Sequence, residues 1–441
     1  MKKTYHIITI GCQMNKSDSE RMANFLEELG YETTEEKYKA DLVIINTCGV
    51  RQLAEDRIYG FVPRIKKENP KVKIVITGCL SGRTDVQRRM NDYVDLWLLT
   101  KDMTKLAEFL NKADKRELPD SYLKIKPKYD STFSALVPIG NGCDNFCTYC
   151  VVPHARGREV YRPAEDIINE VKELVGKGYK EIILIAQNVN SYESIINYEL
   201  SITNKGNGRK INKKINFAEL IRLVNDIPGN FWIRFATSHP KDMSDELIKA
   251  LAECEKACHH IHLPVQAGDD EILARMNRKY TVEHYLKLIK KIKTAMPDAS
   301  ITTDIIVGFP GESKKQFAGS VKLAKEANFD MIFIGKYSPR PGTAAQKMKD
   351  DVSKLEKKNR ELALTKVYKK STLENNKKDL GLSFELLVES AGKGYSYGRT
   401  RTNKYVRIVN NPLKENLVGK FVVVKIVKAN DFGLDGELVL E

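Results

Sequence analysis

The chain up to residue 118 alternates short apolar runs with amphipathic segments. Four runs rich in β-branched residues predict buried strands: TYHIITIGC, DLVIINTC, KVKIVITGC and VDLWLLT. Near-continuous apolar runs of this kind are typical of parallel strands that are covered on both faces. The segment SDSERMANFLEELG begins with capping residues and ends on glycine, which predicts a helix. The pattern therefore predicts a doubly wound α/β domain over residues 1–118.

The alternation starts again after a polar, proline-containing segment, NKADKRELPDSYLKIKPKYD, which is typical of a linker. Six further apolar runs predict strands: FSALVPI, EIILIA, FWIRFAT, HIHLPV, ITTDIIVGF and MIFIGKY. Helical segments such as PAEDIINEVKELVGKG lie between them. Six strand–helix units are two fewer than a closed eight-fold barrel contains. We therefore expect residues 129–372 to form an open, partial (β/α)6 barrel.

The pattern changes once more over residues 373–441. FELLVES, KYVRIV, FVVVKIVKA and ELVLE are separated by Gly and Asn turns, which predicts a small all-β barrel. No apolar run approaches the ~18 residues that a membrane span needs. The amino terminus, MKKTYHIITIGC, has too short an apolar part for a signal peptide and leads directly into a patterned domain. We expect a cytoplasmic protein without membrane contact.

Charge adds an expectation about partners. Across 441 residues, 73 Lys and Arg against 58 Asp and Glu give a formal net charge of +15. The excess is clustered, because segments 201–215, 353–378 and 398–407 carry five, nine and four basic residues against zero, three and zero acidic ones. Clustered positive charge favours a polyanionic partner such as nucleic acid. A solvated lysine-rich surface is the alternative.

Three cysteines of the first domain each follow a predicted strand: Cys12, Cys48 and Cys79 end IITIGC, VIINTC and IVITGC. The carboxyl ends of parallel strands share one edge of a sheet, which is where ligands bind. In a reducing compartment such cysteines bind metal more often than they form disulfides. A metal site is therefore predicted here. Structural zinc needs a fourth ligand that the sequence does not show, and plain burial of the cysteines is the other alternative.

A second trio, Cys143, Cys147 and Cys150, lies in GCDNFCTYC on the loop after the first barrel strand. A cysteine-held 4Fe–4S cluster normally uses four thiolates. Three thiolates leave one iron open to another ligand, as catalytic zinc sites also keep one position open. The C-x3-C-x2-C spacing matches neither common ferredoxin pattern. We predict a cluster with an open iron, and a structural zinc knuckle is the alternative.

The chain resembles the radical S-adenosylmethionine methylthiotransferase family, in that family's domain order and over nearly its whole length. The resemblance rests on GCQMN (11–15), NTC (46–48), TGC (77–79), GCDNFCTYCVVPHARGREVYRP (142–163), QNVNSY (187–192), LPVQAGDDEIL (263–273), RMNRKY (275–280), TDIIVGFPGE (303–312) and YSPRPGTAA (337–345). The carboxy-terminal segment is similar to the TRAM RNA-binding domain of that family.

The resemblance implies two 4Fe–4S clusters. The cluster on the second trio would reduce S-adenosylmethionine to a 5′-deoxyadenosyl radical, and the auxiliary cluster on the first trio would deliver sulfur to the activated carbon. A second S-adenosylmethionine would supply the methyl group, and no catalytic residue is predicted beyond the cluster ligands. Tyr149 is expected to pack on the cofactor's adenine, while Gln187 and Asn188 would hold its amine and carboxylate. Core packing and ordinary loop polarity are the alternatives for these three residues.

The family acts on isopentenylated or threonylcarbamoylated adenosine in tRNA, or on an aspartate of a ribosomal protein. The basic segments favour RNA, since they supply sequence-independent phosphate affinity. GCQMN, SDSERM, RQLAEDRIYG and AQNVNSY resemble the isopentenyl branch. We expect a monomer that methylthiolates carbon 2 of N6-isopentenyladenosine in the tRNA anticodon stem-loop. A donor such as flavodoxin or ferredoxin would supply electrons, and another source the sulfur. The threonylcarbamoyl branch and a non-catalytic iron–sulfur RNA-binding sensor are the alternatives.

Overall fold

The computed structural model describes residues 2–49, 52–111, 121–200, 209–392, 394–410 and 415–439. Residues 112–120 of the expected linker, and residues 201–208 of the basic insertion, lie outside these ranges. None of the helices within them combines the length and the apolar character that a membrane crossing requires.

The amino-terminal region is a five-stranded parallel sheet in the order β2-β1-β3-β4-β5. Its strands and helices alternate along the chain: β1 (Thr4–Thr9), α1 (Gln13–Glu28), β2 (Glu32–Thr33), β3 (Leu42–Thr47), α2 (Gln52–Glu68), β4 (Lys73–Gly78), α3 (Thr84–Met90), β5 (Leu96–Trp97) and α4 (Thr104–Phe109). Alternate residues of the central strands enter two separate apolar clusters: Leu42 and Ile44 enter one, Val43 and Ile45 the other. The sheet is therefore covered on both faces, which confirms the doubly wound fold.

The central region contains ten strands and eight helices among the described residues. They are β6 (Ser134–Pro138), β7 (Gly140–Asn141), α5 (Val152–Arg156), β8 (Val160–Tyr161), α6 (Ala164–Gly176), β9 (Glu181–Ile185), β10 (Glu193–Leu200), β11 (Arg209–Asn216), α7 (Phe217–Asn225), β12 (Trp232–Ala236), α8 (Asp245–Glu253), β13 (His260–His262), α9 (Asp270–Arg275), α10 (Val282–Ala295), β14 (Ser300–Val307), α11 (Lys314–Ala327), β15 (Met331–Lys336) and α12 (Lys354–Lys377).

The six expected barrel strands are all present and parallel. β6, β9 and β12 form one sheet, β13, β14 and β15 form another, and a bridge between Ile233 and Ala257 joins them. In the described part of the chain no pairing joins β15 back to β6. The partial, open barrel is therefore confirmed.

A closed five-stranded barrel ends the chain, in the order β16-β17-β18-β20-β19. Its strands are β16 (Ser383–Gly392), β17 (Tyr395–Thr400), β18 (Tyr405–Asn410), β19 (Phe421–Asn430) and β20 (Gly433–Leu438). The sequence predicted β16, β18 and β19. The predicted run ELVLE, residues 437–441, overlaps β20 only at Glu437 and Leu438, because the strand begins earlier, in GLDGEL. The sequence missed β17, YSYGRT, which has no aliphatic residue. Gly398 suits this strand, because a Cβ there would meet the carbonyl oxygen of Leu387 on β16 at 2.5 Å.

Five further strands were not predicted: the two-residue strands β2, β7 and β8, and the longer β10 and β11. β10 and β11 form an antiparallel ribbon, and the second of them, RKINKKIN, is the end of the basic insertion. A two-stranded ribbon needs little apolar alternation, since it does not enclose a core. The ribbon follows β9, so it leaves the barrel at the carboxyl ends of its strands, where the expected cofactor residues also lie.

The terminal barrel packs on the amino ends of the central strands. Trp232 is buried and its ring lies 4.8 Å from that of Phe421. Arg234 pairs with Glu181 at 2.6 Å, and its Nη2 donates to the carbonyl oxygen of Thr400 at 2.8 Å. These contacts fix the terminal barrel at the end of the central barrel opposite its mouth.

Candidate metal centres and cofactor site

The first trio lies along one edge of the amino-terminal sheet. Cys12 caps α1 after β1, while Cys48 and Cys79 directly follow the neighbouring strands β3 and β4. The backbone N–H of Cys79 donates to the carbonyl oxygen of Thr47 at 2.8 Å, so the last two cysteines leave adjacent strands side by side. Gly78 allows this close approach, because it has φ of +82° and a Cβ would collide with Thr47. The strand order thus brings the three predicted ligands together.

Two asparagines of the motifs hold this edge in place. Asn15, of GCQMN, donates from Nδ2 to Asn46 Oδ1 at 2.9 Å and to the carbonyl oxygen of Thr47 at 2.8 Å. Asn46, of NTC, donates back to the carbonyl oxygen of Asn15 at 2.8 Å. Both side chains are completely buried, so each needs these partners. The network also includes Cys12, whose thiol Sγ donates to Asn15 Oδ1 at 3.2 Å.

The second trio lies on the loop between β7 and α5, and all three of its cysteines are half-buried. Burial raises the pKa of Cys150 to about 12, and the neighbouring Cys147, Cys143 and Cys79 contribute to the rise. Gly142 starts the loop at φ of +86°, where a Cβ would collide with Arg158. A cavity of about 270 Å³ opens beside Cys147 and is closed on its far side by the YSPRPGTAA segment.

The two trios adjoin each other although they belong to different regions of the fold. A Cβ on Gly49 would lie 3.2 Å from Cβ of Cys79 and 3.3 Å from Cγ2 of Val151, the residue after Cys150. Cys79 is also close enough to Cys150 to raise the pKa of its thiol. The edge of the amino-terminal sheet therefore faces the cysteine loop of the barrel.

Two buried arginines join the regions around the first trio. Arg156, of HARGRE, donates from Nη2 to Asp18 Oδ2 at 2.6 Å, and the two side chains are 3% and 1% exposed. Arg340, of YSPRPGTAA, donates to Gln52 Oε1 at 2.9 Å and lies 3.6 Å from Glu55 Oε2. Burial lowers the pKa of Arg340, and the charges of Glu55 and Cys48 oppose that shift. The buried partner of Arg156 is thus a carboxylate of the first domain.

The three expected cofactor residues have distinct surroundings. Tyr149 packs half-buried against the barrel core, and burial raises the pKa of its hydroxyl well above the ordinary value. Gln187 Oε1 accepts from the backbone N–H of Gly142 at 2.6 Å, so it braces the cysteine loop. Asn188 donates to Asp242 at 2.7 Å and to Ser191 at 2.8 Å. That these residues bind a cofactor stays a prediction.

Polar atoms without partners concentrate at the barrel mouth. Among the described residues they include side-chain atoms of Asn188, Asn190, Thr237 and Ser238, which follow the adjacent strands β9 and β12. Asn188 and Ser238 are 2% and 4% exposed. Since buried polar groups are normally hydrogen-bonded, these orphaned atoms fit a polar ligand in the mouth. Asn190 belongs to the motif QNVNSY, whereas no motif in the sequence pointed to Thr237 and Ser238.

The donor set of each trio fits an iron–sulfur cluster. Within the ranges that the structure covers, no three His, Cys, Asp or Glu side chains gather closely enough to share one metal ion. Zinc ligated by cysteines has all its sulfurs about 2.3 Å from one point. A cluster needs adjacent but more widely spaced thiolates, because each binds a different iron. Three thiolates in each trio are also the number that leaves one iron of a 4Fe–4S cluster open.

Three parts of the chain match known families: residues 4–98 match the family described as uncharacterized protein family UPF0004, residues 137–324 the radical SAM superfamily, and residues 378–439 the TRAM domain. In fold, the chain is similar to a radical S-adenosylmethionine methyltransferase from Kitasatospora setae (TM-score 0.54, 14% identity, 95% of this chain and 84% of that one). It is also similar to a cobalamin-dependent S-adenosylmethionine radical enzyme (TM-score 0.52, 13% identity, 83% and 57%).

Curated relatives match the chain from end to end. A tRNA-2-methylthio-N(6)-dimethylallyladenosine synthase of Thermoanaerobacter sp. (strain X514) is 43% identical over 99% of this chain and 92% of its own length. The protein of that name from Clostridium botulinum (strain Okra / Type B1) is 42% identical over 98% and 96%. The chain therefore belongs to the family of the tRNA-2-methylthio-N(6)-dimethylallyladenosine synthases.

Proposed function

We propose that the protein is a radical S-adenosylmethionine methylthiotransferase that converts N6-isopentenyladenosine (dimethylallyladenosine) next to the tRNA anticodon into its 2-methylthio derivative. The observation that carries this proposal is that the two cysteine trios adjoin across a domain interface, where Gly49 lies against both Cys79 and Val151, the residue after Cys150. Sulfur insertion at an unactivated carbon needs two kinds of chemistry at one substrate atom. Two adjoining three-cysteine sites supply a place for each.

Cys143, Cys147 and Cys150 would hold one 4Fe–4S cluster with S-adenosylmethionine, and Cys12, Cys48 and Cys79 would hold the auxiliary cluster. When bound, these groups supply the reductive cleavage of S-adenosylmethionine, the sulfur atom and the methyl group. The chain's own residues position and shield them. The unpartnered atoms of Asn188 and Ser238 would bind polar groups in the barrel mouth, and Tyr149 and Gln187 would complete this cofactor site.

The terminal barrel offers a surface for the tRNA. Tyr395, Tyr405 and Phe432 are 39%, 41% and 53% exposed, although they are large aromatic side chains. Tyr405 stacks on Tyr397 at 5.5 Å, and the Arg407 guanidinium lies 5.0 Å from the ring of Tyr395. Exposed aromatics among cations are suited to stacking on unpaired bases while binding phosphates. This surface would bind the anticodon stem-loop.

Further elements of the proposal concern organisation and partners. The domains would span residues 1–118, 129–372 and 373–441, and the three family matches fall inside these bounds. The protein would work as a monomer in the cytoplasm. It would take electrons from a donor such as flavodoxin or ferredoxin, and its sulfur from a separate source.

The decisive experiment is mass spectrometry of tRNA nucleosides from a host that lacks this protein. Loss of the 2-methylthio-isopentenyl nucleoside, restored by the wild-type chain, is the expected result. Loss of the methylthio-threonylcarbamoyl nucleoside instead would assign the other branch. Complementation with Cys147→Ala and with Cys48→Ala should fail, whereas Cys254→Ala, a buried cysteine outside both trios, should restore the nucleoside.

Purified protein then separates the two sites. After anaerobic reconstitution and with a reductant, Cys147→Ala should release no 5′-deoxyadenosine from S-adenosylmethionine. Cys48→Ala should still release it but should insert no sulfur. Equal loss of cleavage in both variants, with one cluster still present in each, would contradict the proposed division of roles. A wild-type protein that holds clusters but never yields 5′-deoxyadenosine would favour an RNA-binding sensor.

A further inference from the structure

Arg278 lies at the cysteine loop of the barrel, in RMNRKY between α9 and α10, and is only 7% exposed. Its guanidinium makes three hydrogen bonds. Nη1 donates to Sγ of Cys147 at 3.3 Å, Nε to the hydroxyl of Tyr280 at 2.6 Å, and Nη2 to the carbonyl oxygen of Pro264 at 2.7 Å. One nitrogen of the planar Arg278 guanidinium therefore donates to Cys147, an expected cluster ligand.

Arg278 differs from every other buried arginine in the described part of the chain. Each of the other five has a carboxylate oxygen within 4.0 Å, whereas Arg278 has none. These five pairs are Arg21–Glu170, Arg156–Asp18, Arg234–Glu181, Arg340–Glu55 and Arg360–Glu312. A buried charge without a counter-charge costs several kcal/mol of folding free energy. Its counter-charge must therefore come from elsewhere.

Two titratable neighbours of Arg278, Tyr280 and His239, are uncharged near neutral pH. Burial raises the pKa of Tyr280 to about 12, so its hydroxyl stays protonated. Burial and the charge of Arg278 lower the pKa of His239 to about 2, so its ring, which lies 5.7 Å from that of Tyr280, stays neutral. Among the groups bonded to the guanidinium, only Cys147 becomes an anion when it ligates a metal.

The segment around Arg278 also holds the cysteine loop. Thr148 donates from its backbone N–H to the carbonyl oxygen of Met276 at 3.1 Å and from Oγ1 to that of Arg275 at 2.9 Å. Asn277 donates from Nδ2 to the carbonyl oxygen of Phe146 at 3.0 Å. The position of Arg278 relative to Cys147 is therefore set by bonds on both sides of that cysteine.

We propose that Arg278 is the counter-cation of the barrel cluster: it donates a hydrogen bond to the Cys147 thiolate and makes the cluster easier to reduce. Reduction adds one negative charge to the site, and a buried cation stabilises the charge-rich reduced state more than the oxidised one. Hydrogen bonds to cluster sulfurs and the local charge are known determinants of cluster potential. Arg278 is therefore a positioning residue and not a catalytic one, because it acts on the cluster through the Cys147 thiolate. The inference rests on the proposed function.

The test measures the potential of the barrel cluster alone. Cys48→Ala serves as the background, so that the barrel cluster is the one observed, and reduction is followed by electron paramagnetic resonance in a redox titration without substrate. Arg278→Gln should lower the ratio of reduced to oxidised cluster at least tenfold at a fixed potential, which is 59 mV for a one-electron couple. Arg278→Lys should restore most of the ratio, because it keeps the charge.

Asn277→Ser is the matched control, because it removes a bond to the cysteine loop and leaves the cation. Its cluster should titrate at the parent potential. A fully loaded Arg278→Gln protein with an unchanged potential would overturn the inference. If Arg278→Gln binds no iron, Arg278→Lys decides: restored iron supports the counter-charge role, and an empty site contradicts it. Failure of the parent protein itself to bind iron would instead overturn the proposed function.

Discussion

The buried pair Arg156–Asp18 makes the strongest prediction about how the two regions are joined. The atoms Nη2 and Oδ2 are 2.6 Å apart, and the side chains are 3% and 1% exposed. At an effective dielectric constant of ~20 their attraction is about 6 kcal/mol, much of which offsets desolvation. Removing one partner leaves the other charge buried without a counter-charge. Arg156→Met should therefore destabilise the amino-terminal domain by about 3–5 kcal/mol.

The chain's two tryptophans allow a domain-specific assay, since Trp97 lies in β5 and Trp232 in β12. In a Trp232→Phe background, the fluorescence of Trp97 reports unfolding of the amino-terminal domain in urea. With a slope of ~2 kcal/mol/M, the loss should lower the midpoint by about 2 M. The double variant Asp18→Asn/Arg156→Met should be much less destabilised than the sum of the two single changes.

The neighbouring pair Arg158–Asp144 is the matched control. Its atoms are 2.9 Å apart, but the side chains are 76% and 36% exposed. A pair of this kind contributes about 0–1 kcal/mol, so Arg158→Met should leave the Trp97 transition nearly in place. The reasoning is refuted if Arg156→Met shifts the midpoint no more than Arg158→Met does, or if the single changes are additive.

Three further predictions test the cysteine loop, the RNA surface and a buried acid. Gly142→Ala should abolish iron at the barrel site while iron at the first trio persists, measured by iron content, because a Cβ at φ of +86° would collide with Arg158. Tyr405→Ala should weaken tRNA binding by about 1–3 kcal/mol in a filter-binding assay, with little change in its salt dependence, because the change removes stacking and no charge. Burial raises the pKa of Glu20 to about 7 from 4.5, so its ionisation destabilises the fold as pH rises between these values. Glu20→Gln should then raise the thermal midpoint at pH 8 and leave it almost unchanged at pH 4.5; an equal gain at both would contradict this.

The strands with continuous apolar runs were predictable, and those without such runs were missed. Apolar runs identified ten parallel strands of the two α/β regions and three strands of the terminal barrel, β16, β18 and β19. β17 was missed because YSYGRT faces the core with small or polar residues. The β10–β11 ribbon was missed because its sequences, such as RKINKKIN, are largely polar or charged. Hydrophobic periodicity reports burial, so it says little where backbone hydrogen bonds alone define a strand.

The candidate site shows a similar division. Cysteine spacing and strand ends pointed to both trios, because these are local features of the sequence. The hydrogen-bond partner of a polar residue depends on tertiary contacts. Arg278 bonds to Cys147, which is 131 positions away in the sequence, and Arg156 bonds to Asp18, which is 138 positions away. Gln187 and Asn188 lie at the expected strand end, yet Gln187 already bonds to Gly142. The position of a residue on a strand predicts at which edge of the sheet its side chain lies, but it does not predict its hydrogen-bond partner.

The placement of buried cations distinguishes the two proposed clusters. Arg156 and Arg340 border the first trio. Arg156 pairs with Asp18, while Arg340 shares Glu55 with Arg83, which also pairs with Asp85. Each group of cations and carboxylates therefore adds little net charge there. Arg278 borders the second trio without a carboxylate in the described part of the chain and therefore adds a full positive charge. In the proposed reaction the barrel cluster must accept an electron at low potential, whereas the auxiliary cluster must release sulfur. An unpaired cation beside Cys147 favours the first task, and paired cations leave the auxiliary site nearly neutral. The same fold thus gives two sites with identical ligands different electrostatic environments.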